Sequence, residues 1–211
     1  MRIDRLRGLY AVTPDENDTA RLCAMVGAAI EGGATAVQYR NKTAANALRG
    51  EQARALATLC RQRVALFIVN DDPPLAREVD ADGVHIGEDD AAIATARSCV
   101  EDRRIVGVSC YDDLSRARAA ASAGADYIAF GSFFPSRVKP HARHADASLV
   151  AAAKSLGVPV VGIGGITSQN APMLVDAGID AVAVISNVFA HESLTDIAHA
   201  AARIAACFQS P

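Results

Sequence analysis

The feature that most constrains this chain is an eightfold alternation running from one end of its 211 residues to the other. A short β-branched or apolar run comes first, then a loop, then an alanine-rich helical stretch. The runs that read as strands are 8–12, 36–40, 65–70, 83–86, 105–109, 127–131, 158–162 and 181–185. The helical stretches between them are 19–32, 45–63, 74–80, 91–101, 114–124, 147–157, 169–177 and 194–208. Strand follows strand every 20–30 residues or so, which suits βα units and a parallel sheet. Gly32, Gly124, Gly157 and Gly178 each stand where a left-handed cap stops a helix. Eight such units in a chain of this length predict a (β/α)₈ TIM barrel, an α/β fold of a single domain spanning 1–211. An open doubly wound sheet is the structural alternative. No linker, charge block or low-complexity tract divides the chain.

Composition narrows the partners. The chain is 51% hydrophobic, enough for a substantial core, and carries a net charge of −3. A mildly acidic chain has no global attraction for nucleic acid or for an anionic membrane. An anionic substrate must therefore be held by a local basic site. The N-terminal residues lack the apolar stretch of a signal peptide, and a cytoplasmic protein is expected. Cys23, Cys60, Cys99, Cys110 and Cys207 are scattered with no CxxC pair. They suggest neither a disulfide framework nor a zinc site, but small, mostly buried residues.

In a TIM barrel the active site lies beyond the C-terminal ends of the strands. The residues to inspect are chosen by that rule. After the second strand, Gln38, Arg40 and Lys42 fall on one side of an extended segment. They form either a basic wall for phosphate oxygens or an ordinary solvated strand end. The third strand ends in Asn70-Asp71-Asp72, and the fourth is followed by Glu88-Asp89-Asp90. Each carboxylate by itself reads as a helix cap. Together, on adjacent strands, they also suit Mg²⁺, which takes one or two carboxylates plus water and substrate phosphate.

His85 lies within the fourth strand, as a general base or a hydrogen-bonded barrel histidine. Ser109 ends the fifth strand, where a hydroxyl can bind substrate. The sixth strand opens into the longest loop, 131–145, rich in polar and cationic groups and suited to a lid. Lys139 is expected to reach from it toward a pyrophosphate, while His141 and His144 read as exposed loop residues. The seventh strand ends in Gly164-Gly165 and the eighth in Ile185-Ser186. Loops at these two places often bind phosphate through backbone N–H groups. Two anion zones result, one basic and metal-linked, one neutral. They imply two small phosphorylated substrates or one long bisphosphate.

Taken together, several stretches resemble the thiamine phosphate synthase family. They are Leu9-Tyr-Ala-Val-Thr, Val37-Gln-Tyr-Arg-Asn-Lys, Phe67-Ile-Val-Asn-Asp, Ala81-Asp-Gly-Val-His-Ile-Gly-Glu-Asp-Asp and Gly107-Val-Ser. Asp126-Tyr-Ile-Ala-Phe-Gly-Ser-Phe-Phe-Pro-Ser, Gly162-Ile-Gly-Gly-Ile and Val184-Ile-Ser complete the set. By that resemblance, Gln38, Arg40, Lys42, Asn70, Ser109 and Lys139 would bind an aminopyrimidine pyrophosphate. Asp71 and Asp90 would hold Mg²⁺. Ser136, Val138, Gly165, Ile185 and Ser186 would bind a thiazole phosphate. The resemblance implies joining of these substrates, with loss of pyrophosphate, by a transferase in which Arg40, Lys42 and Lys139 stabilise the leaving group.

The chain departs from the family pattern at Glu88, at Cys110-Tyr111 and at Val138, where the lid loop keeps a backbone N–H but no hydroxyl. The rival readings are a thiazole tautomerase of the same fold and a non-catalytic thiamine-phosphate binding protein. Neither has use for a full set of charged groups around a leaving pyrophosphate.

Overall fold

Alternation of side chains along each strand gives the sheet two apolar faces, and the fold buries both. The structure, a computed structural model, describes residues 2–87, 93–100, 103–135 and 145–209. Its strands are β1 Gly8–Val12, β2 Ala34–Tyr39, β3 Leu66–Asn70, β4 Gly83–Ile86, β5 Ile105–Tyr111, β6 Tyr127–Gly131, β7 Val160–Ile163 and β8 Ala181–Val184. They pair in chain order, all parallel, and β1 closes on β8 through Gly8 opposite Ala181 and Ala11 opposite Val184. The TIM barrel expected from the alternation is the observed fold.

The helices outside are α1 Thr19–Glu31, α2 Asn46–Gln62, α3 Pro73–Glu78, α4 Ile93–Val100, α5 Leu114–Ser122, α6 Ser148–Ala153, α7 Ala171–Asp176, α8 Ser186–Phe189 and α9 Leu194–Ala205. Leu9, Val37, Phe67, Val84, Val106, Ile128 and Val182 point outward, under the helices. Tyr10, Val12, Ala36, Ile68, Tyr127, Val161 and Ala183 fill the barrel.

Several boundaries differ from the sequence reading. The strand at 158–162 begins instead at Val160, because Pro159 has no N–H to give to the ladder. β2 starts earlier, at Ala34, and stops at Tyr39. The short α8 was hidden in the sequence, since four residues are too few to show helical periodicity. Gly32 does not take the left-handed cap; its φ is −75°, and Gly33 takes that role with φ 100°. Gly32 is needed for a different reason. A Cβ there would lie 2.3 Å from the Ala198 carbonyl oxygen, so its absence lets α1 pack against α9.

The N-terminal rim is stitched by a repeated aspartate. Asp82, Asp126 and Asp180 precede β4, β6 and β8. Their carboxylates accept from the N–H groups of Phe67, Val106 and Val160 at 2.9, 2.8 and 2.8 Å, at the starts of β3, β5 and β7. Each stitch satisfies an amide that would otherwise lie half-buried without a partner. At the start of β2, Thr35 takes a related part, its hydroxyl donating to the Arg7 carbonyl.

Four helices end in the same hydrogen-bonding pattern. Ala65, Ala81, Ala125 and Ile179 donate their N–H groups to carbonyls five residues earlier, at 2.9, 2.9, 3.0 and 3.0 Å. The residue before each of these is left-handed: Gly124 and Gly178 by nature, Asp80 at φ 54°, and Val64 at φ 60°. A β-branched residue in this conformation is strained by about 1–2 kcal/mol. Val64 is also 71% exposed, so its side chain contributes little burial in return. Val64→Gly should therefore stabilise the protein by about 1 kcal/mol, raising Tm by roughly 2–4 °C. Calorimetry checks this; an unchanged or lower Tm would show that the strain is absent.

Candidate active site

At the C-terminal rim, the ends of β2 and β3, the loops that follow and the first turn of α2 bring Arg40, Lys42, Arg49, Asn70, Asp71 and Asp72 around one open pocket. Gln38, Asn70, His85 and Ser109 continue the inward-facing set that contains Ala36, Ile68 and Ile105. Arg40 and Lys42 lie past the end of β2, so the simple alternation expected through 42 does not govern them. A loop holds them instead. The Thr13 hydroxyl donates to the Arg40 carbonyl at 2.9 Å, and the Lys42 N–H donates to Asp15 at 2.9 Å.

The two carboxylates after β3 separate into different roles. Asp72 caps α3, accepting from the Leu75 N–H at 3.0 Å, and takes a 2.8 Å bond from Arg49. Asp71 turns the other way, held at φ 59° with its N–H on the His85 carbonyl at 2.8 Å. Its carboxylate lies 3.6 Å from the Lys42 ammonium and accepts from the Asn70 amide at 2.5 Å. Both line the pocket, Asp72 as the cap of α3 held by Arg49 and Asp71 as the partner of Lys42.

His85 is a hydrogen-bonded barrel residue, as one of its two readings had it. Its Nδ1 lies 2.9 Å from the Tyr127 hydroxyl and its Nε2 lies 2.9 Å from the Ser109 hydroxyl. Tyr127 in turn meets the Tyr10 hydroxyl at 3.0 Å, and Gln38 donates to Tyr10 at 3.0 Å. Burial pushes both tyrosine hydroxyls well above the usual range, so both keep their protons.

On the opposite side of the mouth, Gly164 and Gly165 have φ of 101° and 64°. A Cβ on Gly164 would lie 2.2 Å from the Ser132 hydroxyl, and one on Gly165 would lie 2.5 Å from the Pro135 carbonyl oxygen. The glycines therefore admit the start of the β6 loop over the β7 loop, and Phe134 donates to the Gly164 carbonyl at 3.0 Å. Ile185 precedes α8 and Ser186 is its first residue. The first bonds of that turn run from the Val188 and Phe189 N–H groups to the Ile185 carbonyl, at 3.1 and 2.9 Å, so the N–H groups of Ser186 and Asn187 come before them.

Glu88, Asp90, Ser136, Val138, Lys139, His141 and His144 lie outside the described residues. Among the described residues no group of three or more histidine, cysteine or acidic side chains is placed to hold a metal. No helix among them is long and apolar enough to cross a membrane.

The sequence reading missed Asp15, Arg49, Tyr10 and Tyr127. Asp15 follows β1, so the strand-end rule would have reached it; its carboxylate is 3.7 Å from Arg40. Tyr10 and Tyr127 sit at inward positions but read as apolar strand filler.

Comparison with known proteins places the chain in a family. The family model described as thiamine monophosphate synthase matches residues 9–188. The chain belongs to that family. It is 52% identical over 204 residues to a thiamine-phosphate synthase of Chromobacterium violaceum, covering 97% of each chain. It is 53% identical over 180 residues to one of Methylobacillus flagellatus, covering 85% of this chain and 86% of that protein. Among solved structures, the thiamine phosphate pyrophosphorylase of Pyrococcus furiosus superposes with a TM-score of 0.85 at 36% identity, covering 98% and 96% of the two chains.

Within this family member, the departure at Cys110-Tyr111 points away from the barrel mouth. Cys110 is buried under the helices, where desolvation pushes its thiol up to about 12. Tyr111, at φ 53°, turns outward and lies 5.6 Å from the Arg116 guanidinium. A thiol so held is no nucleophile. Cys110→Ser and Cys23→Ser should each leave turnover within about tenfold of the parent. A loss above about a hundredfold in a folded variant belongs to a direct catalytic group and would contradict this.

Proposed function

We propose that this chain is a thiamine phosphate synthase, a transferase acting on small phosphorylated substrates. It joins 4-amino-2-methyl-5-hydroxymethylpyrimidine pyrophosphate to 4-methyl-5-(2-phosphooxyethyl)thiazole and releases pyrophosphate. Residues 1–211 form its one catalytic domain, in the cytoplasm, with no role for nucleic acid or membrane. The observation that supports this beyond family membership is the pocket at the ends of β2 and β3. There Arg40, Lys42, Asn70 and Asp71 converge on one side of the barrel mouth.

In this reading Gln38, Asn70 and Ser109 orient the aminopyrimidine, while Arg40, Lys42 and Lys139 grip its pyrophosphate. The methylene–oxygen bond breaks first, leaving a cation stabilised by the electron-rich aminopyrimidine. The thiazole nitrogen then attacks with its own lone pair, so no enzymic base is required. The chain's contribution is charge stabilisation on the departing group and alignment of two rings. Ser136, Val138, Gly165, Ile185 and Ser186 hold the thiazole phosphate, largely through backbone N–H groups.

The donor set also fits Mg²⁺. Asp71 is a partly buried hard-oxygen ligand beside the Lys42 cation, and Asp90 is the proposed second carboxylate. When bound, the ion supplies further neutralisation of the pyrophosphate charge. Activity should fall away after exhaustive chelation and return with added Mg²⁺. Full turnover in the chelated enzyme, measured as product from both substrates, would overturn the metal assignment.

The two anion zones make different kinetic predictions. Lys139 acts where charge builds as the bond breaks, so Lys139→Ala should lower kcat by about a hundred- to thousandfold, or roughly 3–4 kcal/mol. Ser186 faces a phosphate that does not react. Ser186→Ala should mainly raise KM for the thiazole phosphate, by about tenfold for roughly 1.4 kcal/mol. Steady-state kinetics on both folded variants decide. A pure KM effect at Lys139 with a collapse of kcat at Ser186 would reverse the zones.

A further inference from the structure

Four hydrogen bonds cross the barrel interior in an unbroken line from β2 to β5, through Gln38, Tyr10, Tyr127, His85 and Ser109. Their protons can be counted. The Gln38 amide nitrogen has only protons to offer, so the Tyr10 oxygen accepts, at 3.0 Å. The Tyr10 proton then points to the Tyr127 oxygen, also at 3.0 Å. The Tyr127 proton is left for His85 Nδ1 at 2.9 Å. A nitrogen that accepts carries no proton, so a neutral His85 bears its proton on Nε2, 2.9 Å from the Ser109 oxygen. Ser109 therefore accepts from His85 and has its own proton to give elsewhere. Ser109 is half-buried, at the mouth end of β5.

We propose that Tyr10 and Tyr127 are positioning residues that lock His85 in the Nε2–H tautomer and so turn the Ser109 hydroxyl into a hydrogen-bond donor toward the ligand. A donor at that point selects an acceptor. In an aminopyrimidine the ring nitrogens accept while the exocyclic amine donates, so Ser109 reads a ring nitrogen. This last step rests on the reading that the pyrimidine substrate lies over β2 to β5; the tautomer itself does not depend on it.

The barrel is built to hold the relay still. The Tyr127 ring fills space that a side chain on Gly107 would occupy, since a Cβ there would lie 1.9 Å from the ring. His85 stacks on Tyr127 with ring centroids 5.6 Å apart and planes 21° from parallel. Tyr10 meets Tyr127 edge to face at 6.2 Å. Both tyrosines are fully buried, and burial holds their protons in place across ordinary assay pH. The relay's direction is thus set by which end of the Gln38 amide faces Tyr10. Turning that amide over would reverse every donor in the line.

The test is nitrogen-15 NMR of histidine-labelled enzyme, with the His85 signals identified by their loss in His85→Asn. The expected result is a neutral His85 protonated on Nε2. An Nδ1–H tautomer or a doubly protonated ring in the parent enzyme would overturn the proposal. Tyr127→Phe should then give mixed tautomers and raise KM for the pyrimidine pyrophosphate by about tenfold. KM for the thiazole phosphate and kcat should each stay within about threefold. Equal rises in both KM values would mark a merely structural role and also overturn it. Should Tyr127→Phe not fold, Tyr10→Phe carries the same expectations, and the parent spectrum needs no variant. An Nε2–H His85 in an enzyme that makes no thiamine phosphate would support the relay while refuting the proposed reaction.

Discussion

Closure of the sheet, by pairing β1 with β8, is the constraint on which everything else in this molecule rests. An open parallel sheet of the same strands would leave two hydrogen-bonding edges and no enclosed interior. Closure removes the edges and sets the inward side chains of non-adjacent strands face to face. Tyr10 on β1 reaches Tyr127 on β6 only because the sheet curls round, 117 positions apart in sequence. The rim on which Arg40, Asn70 and Ser109 stand is likewise a ring rather than a line. Small residues at Ala36, Gly107, Ala129 and Ala183 offset the bulk of these tyrosines, so large and small alternate across the interior as a packed barrel requires.

The two rims divide the work of stability and chemistry. At the N-terminal rim, aspartates are spent on backbone amides: Asp82, Asp126 and Asp180 each tie the start of a neighbouring strand. Arg97 and Lys154 also pair with two of these carboxylates. At the C-terminal rim Asp71 is left facing a pocket and a cation. The middle of the barrel is neither purely apolar nor reactive. A buried polar line of this kind is worth only about 1 kcal/mol per bond, yet losing one partner costs about 1–3 kcal/mol. That asymmetry makes it a rigid frame for the groups at its Ser109 end.

Much of the candidate site was legible because architecture dictates where to look. The strand-end rule reached Gln38, Arg40, Lys42, Asn70, Asp71, Ser109, Gly165 and Ser186 before any fold was in hand. It did not tell Asp71 from Asp72, since adjacent carboxylates after a strand have the same local chemistry. The left-handed turn at Asp71 separates them, and that turn is held by a bond to β4. Nor did it reveal the double purpose of Gly164 and Gly165. Their lack of a side chain is demanded by the β6 loop crossing above them, a contact between segments some 30 residues apart. Asp15 escaped although Asp15, Glu16 and Asp18 crowd the loop after β1; its partners Arg40 and Lys42 stand in the loop after β2, and no spacing along the chain links the two loops.

What the sequence by itself determined is the periodicity. Strand and helix recur because side-chain patterns and caps are local, and eight such repeats with short connections have few ways to bury both faces of their strands. What the tertiary structure decided is which polar residues inside those strands speak to one another. Tyr10, Gln38, His85, Tyr127 and Ser109 come from β1, β2, β4, β6 and β5, and no spacing along the chain links them. Their hydrogen bonds depend on the register between strands and on the diameter of the closed barrel. Those are set by the packing of the whole interior, not by any one segment of it.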